Sequence, residues 1–144
     1  MSLRGNLIDR ELENIKKIFP EIRRRDFQTL PNGNKCVQVS YVTYGKYACG
    51  VFDVLIEFPY NYPIGAPHAW VQRPKLQKKT PHVYKRDEDG HADICYLRPK
   101  KDWNFSLSSY DAAILIENWL STYCKWTITG AWDWPEAGFF DHVL

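Results

Sequence analysis

The chain has 144 residues, 44% of them hydrophobic and 25% charged, which is the size and balance of one soluble domain with a substantial core. A net charge of +2 is too small to imply a nucleic-acid or membrane partner, and no segment is long and apolar enough to span a bilayer. No apolar leader precedes the first charged residues, and Cys36, Cys49, Cys95 and Cys124 form no paired framework, so free thiols in a reducing, cytoplasmic setting are expected, the alternative being a secreted protein with two disulfides, for which no signal speaks.

The first element is a helix. Asn6 is placed to cap it with Asp9 three residues on, and Ile8, Leu12, Ile15 and Phe19 recur at helical spacing before Pro20. A short strand is predicted over Phe27–Leu30, then a turn at Pro31-Asn32-Gly33-Asn34. Two longer strands follow. Val37, Val39 and Tyr41 alternate with Gln38 and Ser40, and Phe52, Val54, Ile56 and Phe58 with Asp53 and Glu57, around a loop at Tyr44-Gly45-Lys46. A rigid link, PYNYPIGAP (Pro59–Pro67), leads to a fourth strand at His68–Gln72. From Arg73 to Asn104 periodicity disappears, and so long a loop is usually functional. Ser108 and Asp111 then form a capping pattern for a second helix whose Ala112, Leu115, Ile116, Trp119, Leu120 and Tyr123 share one face. The aromatic tail from Thr129 (TGAWDWPE) is expected to fold back onto the body, its Pro135 end exposed. The predicted class is α+β in a single domain over 1–144: an N-terminal helix, a four-stranded antiparallel meander, a long active-site loop and a second helix packed on the sheet.

The chemistry concentrates in Pro81–Trp103, PHVYKRDEDGHADICYLRPKKDW. Cys95 lies there between an acidic and a basic loop, and Lys85, Arg86, Arg98, Lys100 and Lys101 favour a thiolate. Asp93, Arg98 and Lys100 read as a wet loop around it. Cys36 and Cys49 read as packing residues beside strands, and Cys124 as a bystander. His91 reads either as an oxyanion donor or proton acceptor for Cys95, or as a solvated loop histidine. Tyr84 supplies a hydroxyl or packs. Asp87, Glu88 and Asp89 solvate a turn or orient an attacking amine. His82, His91, Cys95 and Asp93 are suitable zinc ligands, but intervals of eight and three residues between the first three fit no compact motif, so no metal or cofactor is expected. The basic residues of the loop either meet an acidic partner or phosphates, or are ordinary surface lysines and arginines; no nucleic-acid motif accompanies them. The tryptophans Trp103, Trp126, Trp132 and Trp134 read as core before docking residues.

In this order the landmarks resemble the ubiquitin-conjugating (E2) family: the FP..YP..PP-like FPYNYPIGAP (Phe58–Pro67), a histidine, an acidic glycine-containing loop, Ile94-Cys95-Tyr96-Leu97, and a tryptophan eight residues after the cysteine. The resemblance covers roughly Leu7 to Tyr123 and implies a UBC-like fold. It implies that Cys95 accepts a protein C-terminus from an E1 as a thioester and transfers it to an amine acceptor. His82 then corresponds to the family's HPN histidine, which braces the loop. Three departures are plain: Tyr84 stands where the HPN asparagine falls, the stretch from His82 to Cys95 is long, and the short TGAWDWPE tail stands where the family has a C-terminal pair of helices. These features are similar to the bacterial E2-like proteins of antiphage (CBASS-type) operons. That branch implies a ThiF-like E1 partner and, as the protein carrying the transferred C-terminus, a ubiquitin-like protein or another protein such as a cyclic-oligonucleotide synthase. It implies no nucleic acid and no membrane. The alternatives are a non-catalytic E2-variant binding module, and a zinc or thiol hydrolase built on a metal or a Cys/His dyad.

Overall fold

The computed structural model describes residues 3–97 and 102–133. Helix α1 (Leu3–Lys16) begins before Asn6, so that residue lies inside the helix and does not cap it. A 3-10 turn (Arg24–Asp26) leads into strands β1 (Phe27–Thr29), β2 (Lys35–Val42), β3 (Val51–Phe58) and β4 (His68–Arg73), the four-stranded meander expected from the alternation. The segment expected to lack regular structure instead adds two strands, β5 (Val83–Arg86) and β6 (Ala92–Ile94), and helix α2 (Ser109–Thr129) follows. The sheet is therefore six-stranded, in the order β1-β2-β3-β4-β6-β5, with antiparallel pairing throughout. A three-residue strand was hidden in the sequence because it is too short to display a period.

One face of the sheet makes the core. Val37, Val39, Phe52, Val54, Ile56, Ala69, Val71, Ala92 and Ile94 are all buried against the apolar face of α2, whose Trp119 is wholly enclosed. The predicted cap of α2 is present: Ser108 Oγ accepts from the Tyr110 amide, and Asp111 accepts from the Ser108 amide at 2.8 Å. The tail folds back through Trp132, whose ring packs 5.2 Å from Trp119 and 5.3 Å from His82. Trp134 and Pro135 lie outside the described residues.

Glu11 ties the helices to the long link. Its side chain is 1% exposed and accepts from Tyr62 Oη at 2.7 Å, the Ser109 amide at 3.0 Å and Arg10 Nε at 2.8 Å. A carboxylate at the first turn of α2 also meets the positive end of that helix. Burial acts to raise the Glu11 pKa, but these hydrogen bonds outweigh it and hold the group below its ordinary 4.5.

The cysteines correct one expectation. Cys36 is buried, as a packing residue should be, and Cys95 is free. Cys49 and Cys124 instead form a disulfide that fastens the loop between β2 and β3 to α2, across 75 positions of sequence. Their meeting depends on the sheet's packing against α2, which local spacing does not encode.

Two outcomes follow from these contacts. Because the Glu11 pKa is depressed on folding, its contribution is present above the unfolded value of 4.5 and is lost as pH falls through the folded one. Urea denaturation should show Glu11→Ala costing about 3 kcal/mol at neutral pH, since it orphans buried donors, with Glu11→Gln flattening the acid limb. Alkylation of denatured, unreduced protein should label Cys36 and Cys95 alone, with Cys49 and Cys124 joining them only after reduction.

Candidate functional site

The acidic loop ahead of Cys95 is the turn of a hairpin. Asp87 accepts from the Asp89 and His91 amides, each at 2.9 Å, while the Asp87 amide donates to the His91 carbonyl at 3.0 Å. Gly90 completes the turn at φ 82, in the left-handed region that favours glycine. This hairpin accounts for the long stretch between His82 and Cys95.

From that turn β6 runs between β4 and β5, with Trp70 and Lys85 flanking Asp93 and with Val71 and Arg86 flanking Ala92. Ala92 and Ile94 face the core. Asp93, and Cys95 two residues on, therefore face the opposite side of the sheet. The Cys95 amide donates to the His82 carbonyl at 2.8 Å, which fixes the backbone at the thiol. His82 thus braces the site through its main chain, at φ 56, while its ring lies against Trp132 and burial lowers its pKa.

Cys95 is partly buried, at the rim of the sheet. Its thiol donates to the Leu97 carbonyl at 3.5 Å, and Tyr84 on the neighbouring strand lies close enough to interact with it. A bulge between Val83 and Lys85 turns Tyr84 toward the thiol, which is how such irregularities re-aim side chains. The hydrogen bond to Cys95, then burial, push the Tyr84 pKa up to about 12.

Sequence reasoning did not single out His68, and it read Asp93 as part of a wet loop. Asp93 is in fact 2% exposed. Its Oδ2 meets His68 Nδ1 at 3.2 Å, and its Oδ1 has no hydrogen-bond partner among the described residues. The bond from Asp93 raises the His68 pKa above 6.5; burial and Lys85 oppose the shift, and Glu57 adds to it. His68, Asp93, Tyr84 and Lys85 line a cavity of about 380 Å³ together with Pro67 and Leu97. The available signal was the period-2 relation of Asp93 to Cys95, which becomes readable only once β6 is recognised as a strand.

His91 is not brought to the sulfur. It sits at the far end of β6, four residues or about 13 Å along an extended chain from Cys95, with Nδ1 held 3.0 Å from Asp87. There it lines a separate cavity of about 280 Å³ with Leu55, Glu57 and Trp70. The zinc set of His82, His91, Cys95 and Asp93 is likewise not assembled. Among the described residues only Asp87, Asp89 and His91 bring three ligand atoms within 4.8 Å of one another, and those residues belong to the hairpin turn. Arg86 donates to the Leu76 and Gln77 carbonyls at 3.2 and 2.7 Å, so its charge serves the loop rather than the thiol. Arg98, Lys100 and Lys101 lie outside the described residues. Trp103 packs on the Pro/Gly link, donating from Nε1 to the Pro63 carbonyl at 2.9 Å.

Residues 11–139 match the family model described as type II CBASS E2 protein. No curated protein and no solved structure matches the chain.

The Tyr84–Cys95 bond can be read directly by NMR of isotope-labelled tyrosine. Tyr84 should titrate near 12 in the native protein and fall toward the ordinary 10.0 in Cys95→Ala. An unchanged midpoint would show that the hydroxyl does not serve the sulfur.

Proposed function

Because the chain belongs to the type II CBASS E2 protein family, we propose that Cys95 carries a protein C-terminus as a thioester and delivers it to an amine acceptor during antiphage defence. The donor is an E1-like, ThiF-type activating protein. The cargo is a ubiquitin-like protein or another protein ending in a flexible tail, a cyclic-oligonucleotide synthase among them. The reading takes the chain as one UBC-like domain extended by the β5–β6 hairpin, acting in the cytoplasm.

The observation that carries this reading is the setting of the sulfur. Cys95 stands at the end of a strand paired on both sides, at the rim of the sheet, with a hydroxyl donor beside it. In loading, the Cys95 thiolate attacks the carbonyl of the E1 thioester. A new carbon–sulfur bond forms and the E1 thiolate leaves with the electron pair. The Tyr84 O–H, replacing the asparagine of related enzymes, is the donor for the oxyanion that develops beside Sγ, a role worth a few kcal/mol when well placed. His82 holds the loop through its carbonyl, and His91 braces the hairpin turn.

A thiol hydrolase needs a histidine bonded to its nucleophile, whereas among the described residues the thiol's hydrogen bond goes to the Leu97 carbonyl. A binding-only module needs no thiol with a dedicated donor.

Incubation with a matched E1, ATP and cargo should yield an adduct visible by intact mass and removed by DTT. It should persist in Cys36→Ala and vanish in Cys95→Ala. Survival of the adduct without Cys95 would overturn the assignment. Tyr84→Phe should slow loading roughly tenfold or more.

A further inference from the structure

The cavity beside Cys95 contains a histidine–carboxylate pair that the thiol itself does not use. Its position follows from the ladder. β4 and β6 pair Trp70 with Asp93 and Val71 with Ala92. The β4–β6 ladder ends at Asp93, two residues short of Cys95, and the residues on either side of the thiol, Ile94 and Tyr96, line the same cavity as His68. Beyond the ladder the Tyr96 side chain reaches the segment before β4, its Oη donating to the Pro67 carbonyl at 2.5 Å. His68 and Asp93 stand on the same face as Cys95, and Tyr84, which touches the sulfur, lines the cavity with them.

Asp93 occupies the imidazole at Nδ1. Nε2 is thus left as the nitrogen that a substrate can meet, in the way a carboxylate fixes the working tautomer of a catalytic histidine. The His68 side chain is 44% exposed while that of Asp93 is 3% exposed, so the ring reaches the opening and the carboxylate lies behind it. The unpartnered Oδ1 of Asp93 marks a buried acceptor still short of a donor. A nitrogen bearing protons fits that deficit, and the incoming amine is such a group.

Resting on the thioester reading above, we propose that His68 is the proton acceptor for the amine that discharges Cys95, and that Asp93 is the residue that positions it. The acceptor enters the cavity as a neutral amine, its ammonium having lost one proton to water. Its lone pair attacks the thioester carbonyl and a carbon–nitrogen bond forms. The proton now acidic on that nitrogen passes to Nε2 of His68. The carbon–sulfur bond breaks, Cys95 departs as thiolate with the electron pair, and the imidazolium returns its proton to the thiolate or to water. Neutral His68 is the working form. The groups facing it are Asp93 on β6, Glu57 opposite it on β3, and Lys85 and Tyr84 on β5. The two carboxylates favour the imidazolium, so the working form gains population only above the ordinary midpoint of 6.5.

The test needs no E1. A short glycine-ended peptide thioester of a small thiol loads Cys95 by exchange, and intact mass follows discharge to free lysine. His68→Gln should still form the thioester but discharge it to lysine about a hundredfold more slowly, the scale of a lost general base. Hydroxylamine is a much weaker base than lysine, so once it has attacked, its nitrogen gives up the proton to water unaided and the loss with it should be far smaller; an equal loss with both nucleophiles would mean a structural role and sink the proposal. The ratio of wild-type to His68→Gln rates cancels titration of the acceptor. It should climb with pH to a plateau, with its midpoint above 6.5. In Asp93→Asn the same ratio should have its midpoint displaced downward. A flat ratio, or an Asp93→Asn profile superimposable on wild type, would overturn the assignment. If Cys95 takes no acyl group at all, the thioester reading falls first and this inference with it; a Cys95 thioester discharged equally by wild type and His68→Gln defeats the inference alone.

Discussion

The site depends on β6 being paired along both edges. Between β4 and β5 its three residues have no freedom of register, because a slip of one position would bring Asp93 into the core and turn Ala92 and Ile94 outward. That register carries through to Cys95, whose amide is bound to the His82 carbonyl. The thiol is therefore held by a sheet rather than by a loop, and the bulge at Tyr84 brings a hydroxyl to it from the neighbouring strand. A strand this short has little intrinsic stability, and its hold comes from its neighbours and from the Asp87 turn.

Three of the buried carboxylates differ in how fully their oxygens are satisfied. Glu11 is saturated by Tyr62, Ser109 and Arg10 and joins the helices to the long link. Glu57 accepts from Asn32, Asn34 and Trp70, so the turn before β2 is fastened to the sheet. Burial would raise the pKa of both, yet the donors hold both below the ordinary value. Asp93 differs, since one oxygen holds His68 and the other has no partner among the described residues. An incompletely satisfied buried acceptor is costly for stability alone, and it lies in the cavity next to the thiol.

Much of this architecture could be read before folding was considered. Alternating apolar residues marked β2 and β3, the capping pair Ser108 and Asp111 marked the start of α2, and the aromatic tail returned to the core through Trp132. Cys95 was identifiable from its flanks, and Tyr84 from the place it holds relative to the E2 pattern. The β5–β6 hairpin was not legible, because its strands have four and three residues and its turn is built of charges that also suit an irregular loop. Of the two readings of His91, a partner of Cys95 or a solvated loop histidine, sequence proximity alone suggests the first. Four residues along a strand, however, carry a side chain about 13 Å away, a separation that a helix or a loop would not impose.

The sequence by itself determined the local elements and the apolar faces they bury, and it pointed to Cys95 as the candidate sulfur, because propensity, capping and alternation are written within a few residues of where they act. Only the tertiary structure decided which groups meet that sulfur. His68 reaches Asp93 from another strand, and Cys49 reaches Cys124 across the packing of the helix on the sheet. The physical reason is that strand pairing sets cross-strand neighbours by register. Register here is a property of the whole sheet and not of any segment read alone.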